Sequence, residues 1–82
     1  MTMTYEEARK YLPPIWTIYE NPREYPGKFV VRVWWGEYAD TEREAKILDT
    51  LTEAREWCVL DGAGAQLARH ADDDPCIVES WI

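Results

Sequence analysis

Bulky β-formers follow one another along residues 28–38, KFVVRVWWGEY, the one long run with no helix former among them. With a period of two, Phe29, Val31, Val33 and Trp35 share one face, while Lys28, Val30, Arg32 and Trp34 share the other. The pattern predicts a central strand with one apolar face on a core. Its other face, with Arg32 among hydrophobic neighbours, would be half wet, as in a sheet covered on one side.

The flanking segments have their own signals. Thr4-Tyr5-Glu6-Glu7 starts with a capping residue and puts two carboxylates in a first helical turn, and Pro13-Pro14 closes the segment. A helix of barely two turns is expected there, held only if Tyr5, Ala8 and Leu12 dock on the rest of the chain. Ile15-Trp16-Thr17-Ile18-Tyr19 is β-branched and aromatic throughout and ends at the turn signal Asn21-Pro22, so it reads as a first strand. Pro26-Gly27 suits the middle of a type II turn, joining that strand to the central one as an antiparallel hairpin.

Residues 37–60 fork. Thr41-x-x-Glu44 and Thr50-x-x-Glu53 both match the capping box, so a helix could start at either threonine. One helix over 41–60 would use Ile47, Leu48, Leu51, Ala54 and Cys58 as its apolar stripe; alternatively 45–48 is a strand and only 51–60 is helical. Periodicity slightly favours the single helix. Asp61-Gly62-Ala63-Gly64 stops it, 65–69 reads as a short strand, Asp72-Asp73-Asp74-Pro75 as a turn, and 76–82 as a closing strand. The expected fold is α+β in one domain, 1–82: a small, mostly antiparallel sheet of four to five strands, one main helix packed on one face, and a short N-terminal helix.

At 82 residues the chain has room for one core, and its five tryptophans are expected to anchor it. Charge is uneven. Residues 1–36 hold five basic and four acidic side chains, whereas 37–82 hold four basic and twelve acidic. That balance argues against direct binding of nucleic acid or an anionic membrane, both of which need a basic footprint. No signal-peptide pattern and no apolar run of membrane-spanning length is seen, so the chain is expected in the cytoplasm, with Cys58 and Cys76 acting as small buried hydrophobes.

NPREYPGKFVVRVWW and DDDPCIVESWI together resemble a family of small, largely uncharacterised bacteriophage and prophage proteins. The matching residues are Pro22, Arg23, Tyr25, Pro26, Phe29, Val30 and Arg32, then Asp73, Asp74, Pro75, Ile77, Val78, Glu79 and Trp81. The resemblance covers both ends of the chain but not the extension over residues 1–14 or Glu42-Arg43-Glu44. Its strand followed by Ser/Thr-Leu-x-x-Ala is similar to 49–54 here, which implies a strand near 45–48 and a helix from Thr50. It transfers no activity. It implies a phage setting, in the host bacterial cytoplasm, where small acidic proteins often disable a host machine, anti-CRISPR proteins among them.

Catalytic material is sparse. His70 is the only histidine and Ser80 the only serine, and neither a nucleophile elbow, a zinc-binding His-Glu-x-x-His nor a phosphate loop is present. A site joining Cys58, His70 and an aspartate would have to be assembled wholly by the fold. Asp72-Asp73-Asp74 lacks the glycine and the glutamate of a calcium loop and reads as a turn whose aspartates bond nearby amides. No enzyme activity, cofactor or metal is expected.

Two surfaces remain as candidates. Glu37, Asp40, Glu42, Glu44, Asp49, Glu53, Glu56 and Asp61 could form a carboxylate array that competes with nucleic acid for a host protein with a basic surface. Asp49, Glu53 and Glu56 would share one helix flank. The other candidate is the Arg32/Trp34 sheet face, an arginine–tryptophan pair of the composition found in binding hot spots, through which the chain could dock or form a homodimer.

Overall fold

The computed structural model describes residues 2–82; Met1, the first residue of the N-terminal extension, lies outside them. Eight elements follow in order: α1 (Tyr5–Tyr11), β1 (Pro14–Glu20), β2 (Phe29–Trp35), β3 (Tyr38–Ala39), β4 (Lys46–Leu48), α2 (Leu51–Leu60), β5 (Gln66–Leu67) and β6 (Ile77–Trp81). The six strands form one antiparallel sheet ordered β3-β2-β1-β6-β5, with β4 also paired to β2. This is the α+β fold that the pattern predicts, with one two-residue strand, β3, added at an edge and the strand expected over 65–69 shortened to β5.

Two details differ from expectation. The run 28–38 is not one strand: it reverses at Gly36-Glu37, so Trp35 pairs with Tyr38 across a two-residue turn. Gly36 has φ +62°, the sign that the first turn position of a type II′ hairpin needs. Nor is β2 the middle of the sheet. β1 is, paired to β2 along one edge and to β6 along the other.

The fork resolves to a strand and a separate helix. Residues 46–48 pair with β2, and Thr50 caps α2, its hydroxyl accepting from the Glu53 amide at 3.1 Å. Leu51, Ala54, Trp57 and Cys58 turn inward onto Trp16, Ile18, Val31 and Val33. α1 carries a full capping box between Thr4 and Glu7 and docks near the Gly36 turn on the same side. Tyr5 stacks edge-on against Tyr38, Ala8 is buried, and the place of a Gly36 Cβ is filled by Leu12.

Only Trp16 among the five tryptophans is truly buried, at 4% exposure; Trp35, Trp57 and Trp81 lie half-buried around the core. Aliphatic residues hold the centre. Ile18 has no exposed surface and sits between Val31 of β2 and Glu79 of β6. Truncating Ile18 to alanine is expected to lower stability by about 2–5 kcal/mol in urea unfolding. Ile15→Ala, on the opposite and more open face, should cost clearly less in the same titration.

Candidate functional site

The acidic candidate is broken up by the chain's own cations. Asp40 is buried; its carboxylate accepts from the Tyr5 hydroxyl and the Trp35 indole, each at 3.1 Å, and from the Glu42 amide at 2.9 Å, with Arg43 at 3.4 Å. Arg43 bridges onward to Asp61 at 2.7 Å, and Asp61 also takes the Trp16 indole N–H at 2.8 Å. Glu42 pairs with Arg9, and Asp49 with Lys28. Glu53 accepts from its own cap, the Thr50 hydroxyl, at 3.0 Å. Only Glu37, Glu44 and Glu56 of the eight nominated carboxylates form neither an ion pair nor a side-chain hydrogen bond among the described residues. They stand in the β2–β3 turn, in the segment before β4, and on α2, so no continuous array results.

A further buried carboxylate escaped sequence reading as anything but part of a strand. Glu79 is 3% exposed on the α2 side of β6, where Arg55 donates to both its oxygens at 2.8–3.2 Å and the Trp81 indole donates at 2.8 Å. The pair locks α2 to β6. Removing Arg55 alone leaves the buried Glu79 carboxylate without its cation, so Arg55→Ala is expected to lower the urea midpoint clearly. The double variant Arg55→Met, Glu79→Leu should recover part of that loss in the same urea titration, the Trp81 indole being then left without its acceptor.

The second candidate is more coherent. Both helices lie on one side of the sheet, so none covers the face made by Ile15, Thr17, Tyr19, Val30, Arg32 and Trp34. Cross-strand pairs place Ile15 opposite Trp34, Thr17 opposite Arg32 and Tyr19 opposite Val30. Two loops rise beside this face and enclose a hollow of about 520 Å³. One wall is the β1–β2 loop with Pro22, Arg23 and Glu24; the other carries Asp74 and Cys76.

Local chemistry stiffens both walls. In the first loop the Asn21 side chain accepts from the Gly27 amide at 2.7 Å, Asn21 and Gly27 adopt φ +51° and +76°, and Pro22 is buried. In the second, Asp73 and Asp74 side chains accept from the amides of His70 and Cys76, each at 2.9 Å, as the turn reading anticipates. Arg69 donates to the carbonyls of Ile77 and Asp73 at 3.1 and 3.2 Å. On the floor, burial pushes the Tyr19 phenol up, an effect partly offset by the neighbouring Trp34 side chain and the Arg32 charge. Arg32 and Trp34 are thus brought together with Tyr19 and Arg23, neither of which the sequence singled out as a site residue.

The remaining reactive groups lie apart. Cys58 is fully buried on the inner side of α2, and burial pushes its thiol up to about 12. His70 sits in an exposed loop, its Nδ1 accepting from the Asp72 amide at 3.1 Å. Among the described residues no three His, Cys, Asp or Glu side chains converge as a metal site, and no helix is long and apolar enough to cross a membrane. At pH 8, iodoacetamide is expected to modify Cys76 in the folded chain and Cys58 only after unfolding. Because the folded state holds the Cys58 proton more tightly than the unfolded one, that residue's stabilising contribution is complete below about pH 9 and fades as pH climbs towards 12.

Compared with known proteins, the chain gives no significant match to any protein-family model, curated protein or solved structure, so the bacteriophage resemblance rests on its quoted residues alone.

Proposed function

We propose that this chain is a non-enzymatic docking module that receives a segment of a protein partner on its helix-free sheet face, with Trp34 and Arg32 at the centre of the contact. One observation carries the reading: no helix covers this face, and although Thr17 and Val30 on it are buried, Tyr19, Arg32 and Trp34 stay partly exposed between two stiffened loop walls, in a hollow large enough for several side chains. Aromatic and arginine side chains concentrate binding energy when a partner dries them. Walls already held by their own hydrogen bonds lose little freedom on binding, which favours affinity.

A second reading keeps the phage setting: an inhibitor of a host nucleic-acid-handling system, anti-CRISPR-like, whose acidic surface competes with nucleic acid. Its support is the net charge of −7 and the unpaired Glu37, Glu44 and Glu56. The internal pairing of Asp40, Glu42, Asp49 and Asp61 weighs against it, since a carboxylate held by its own arginine or lysine offers less to a basic partner.

Site-specific photo-crosslinking in the cell that encodes the chain separates the two. With p-benzoylphenylalanine in place of Trp34, one discrete adduct with another protein is expected, lost when Arg32→Glu is added. The same probe in place of Glu56 should give none. Adducts at position 56 but not 34 would overturn the docking face in favour of the acidic one, and an adduct at 34 with the chain's own mass would identify the occupant as a second copy.

A further inference from the structure

Seven of the nine lysines and arginines are satisfied within the chain. Arg9, Lys28, Arg43 and Arg55 hold carboxylates; Arg69 holds backbone carbonyls; Lys10 and Lys46 lie 5.3 and 4.8 Å from the ring centres of Tyr11 and Trp57. Arg23 and Arg32 alone have no such partner among the described residues, and both line the groove on the open sheet face. In a chain with sixteen acidic residues this is a conspicuous omission. Glu24 and Asp74 line the same hollow, yet neither forms an ion pair with either arginine.

Resting on the docking reading above, we infer that the groove's occupant is an acidic–apolar segment of a partner protein, whose carboxylate is held by Arg32 with Arg23 beside it. The guanidinium fork matches a carboxylate with two parallel donors, and the match strengthens when the groove loses water. The remaining lining sets the rest of the segment's chemistry. Trp34 and Tyr19, both partly exposed, offer aromatic surface beside the charge, over the buried Val30 and Pro22. A segment in which one or two carboxylates stand between bulky apolar side chains complements that arrangement. A nucleic-acid strand complements it less well: Glu24 and Asp74 on the walls repel any anion, but one carboxylate can seat on Arg32 between them, whereas a continuous row of phosphates cannot avoid them.

The test is calorimetric titration of the full chain with two hexapeptides, acetyl-Leu-Phe-Glu-Glu-Leu-Phe-amide and its glutamine counterpart, with oligothymidylate as the phosphate control. The acidic peptide should bind at least about tenfold tighter than the glutamine one, in keeping with a hydrogen-bonded charge pair. Arg32→Ala should remove that preference, Arg23→Ala should reduce it, and circular dichroism should show both variants folded. Equal binding of the two peptides, no binding of the acidic one up to 1 mM, or tighter binding of oligothymidylate would overturn the inference. Should it fall while the Trp34 adduct remains dependent on Arg32, docking on this face stands and only the chemistry assigned to its occupant is wrong.

Discussion

An indole ring packed against a core takes its N–H out of water, and that donor then needs an acceptor. Three tryptophans here meet the demand in the same way: Trp16 donates to Asp61, Trp35 to Asp40 and Trp81 to Glu79. Each acceptor is a carboxylate, and a carboxylate drawn towards the interior needs a cation in turn. Arg43 serves Asp40 and Asp61 together, and Arg55 serves Glu79. The chain of requirements runs from ring to acid to base and ties β1, β2, β6, α2 and the 40–43 segment into one body.

This constraint changes the meaning of the acidic composition. A count of charges treats every carboxylate as a surface feature, yet Asp40 and Glu79 are among the least exposed residues of the chain. Their role is internal: they allow tryptophans to supply packing area at the border of a core too small to enclose them. Arginines on the α2 side are consumed in the process. The two arginines without a carboxylate partner among the described residues, Arg23 and Arg32, accordingly lie on the other face.

Much of the fold was legible because local signals agreed with one another. Thr4 announced its helix, alternation along 29–35 announced a strand with two unlike faces, and the Asp72-Asp73-Asp74 turn followed from the hydrogen-bonding habit of aspartate. Thr41 and Thr50, by contrast, matched the capping box equally, and periodicity leaned to the single helix that the structure does not form. The break at Gly36 was hidden by Trp34-Trp35 and Tyr38, whose β-propensity is as high in a hairpin as in a single strand. The pairings were hidden for a different reason. Arg43 meets Asp61 eighteen positions away, Arg55 meets Glu79 twenty-four away, and Lys28 meets Asp49 twenty-one away, separations that only the tertiary fold brings together. A periodicity argument placed Asp49, Glu53 and Glu56 on one helix flank, but Asp49 lies before α2 and is met by Lys28 from the loop that precedes β2. Tyr19 was readable as a neighbour of the Arg32 face once β1 and β2 were paired in register, though its wall of Asp74 and Cys76 was not.

Alternation along β2 separates two duties that a chain of this size could easily have confused. Val31 and Val33 are committed to the core beneath α2, whereas Arg32 and Trp34 between and after them contribute nothing to that core and point to the opposite side. A change at Arg32 or Trp34 can thus alter the surface of the hollow without opening a cavity in the core, while a change at Val31 or Val33 alters stability without touching that surface directly. The two loops reinforce the separation, since their turns are closed by Asn21, Asp73 and Asp74 through local bonds. The side chains on the floor of the hollow, Arg32 and Trp34, are thus ones on which neither the core nor the turns depend.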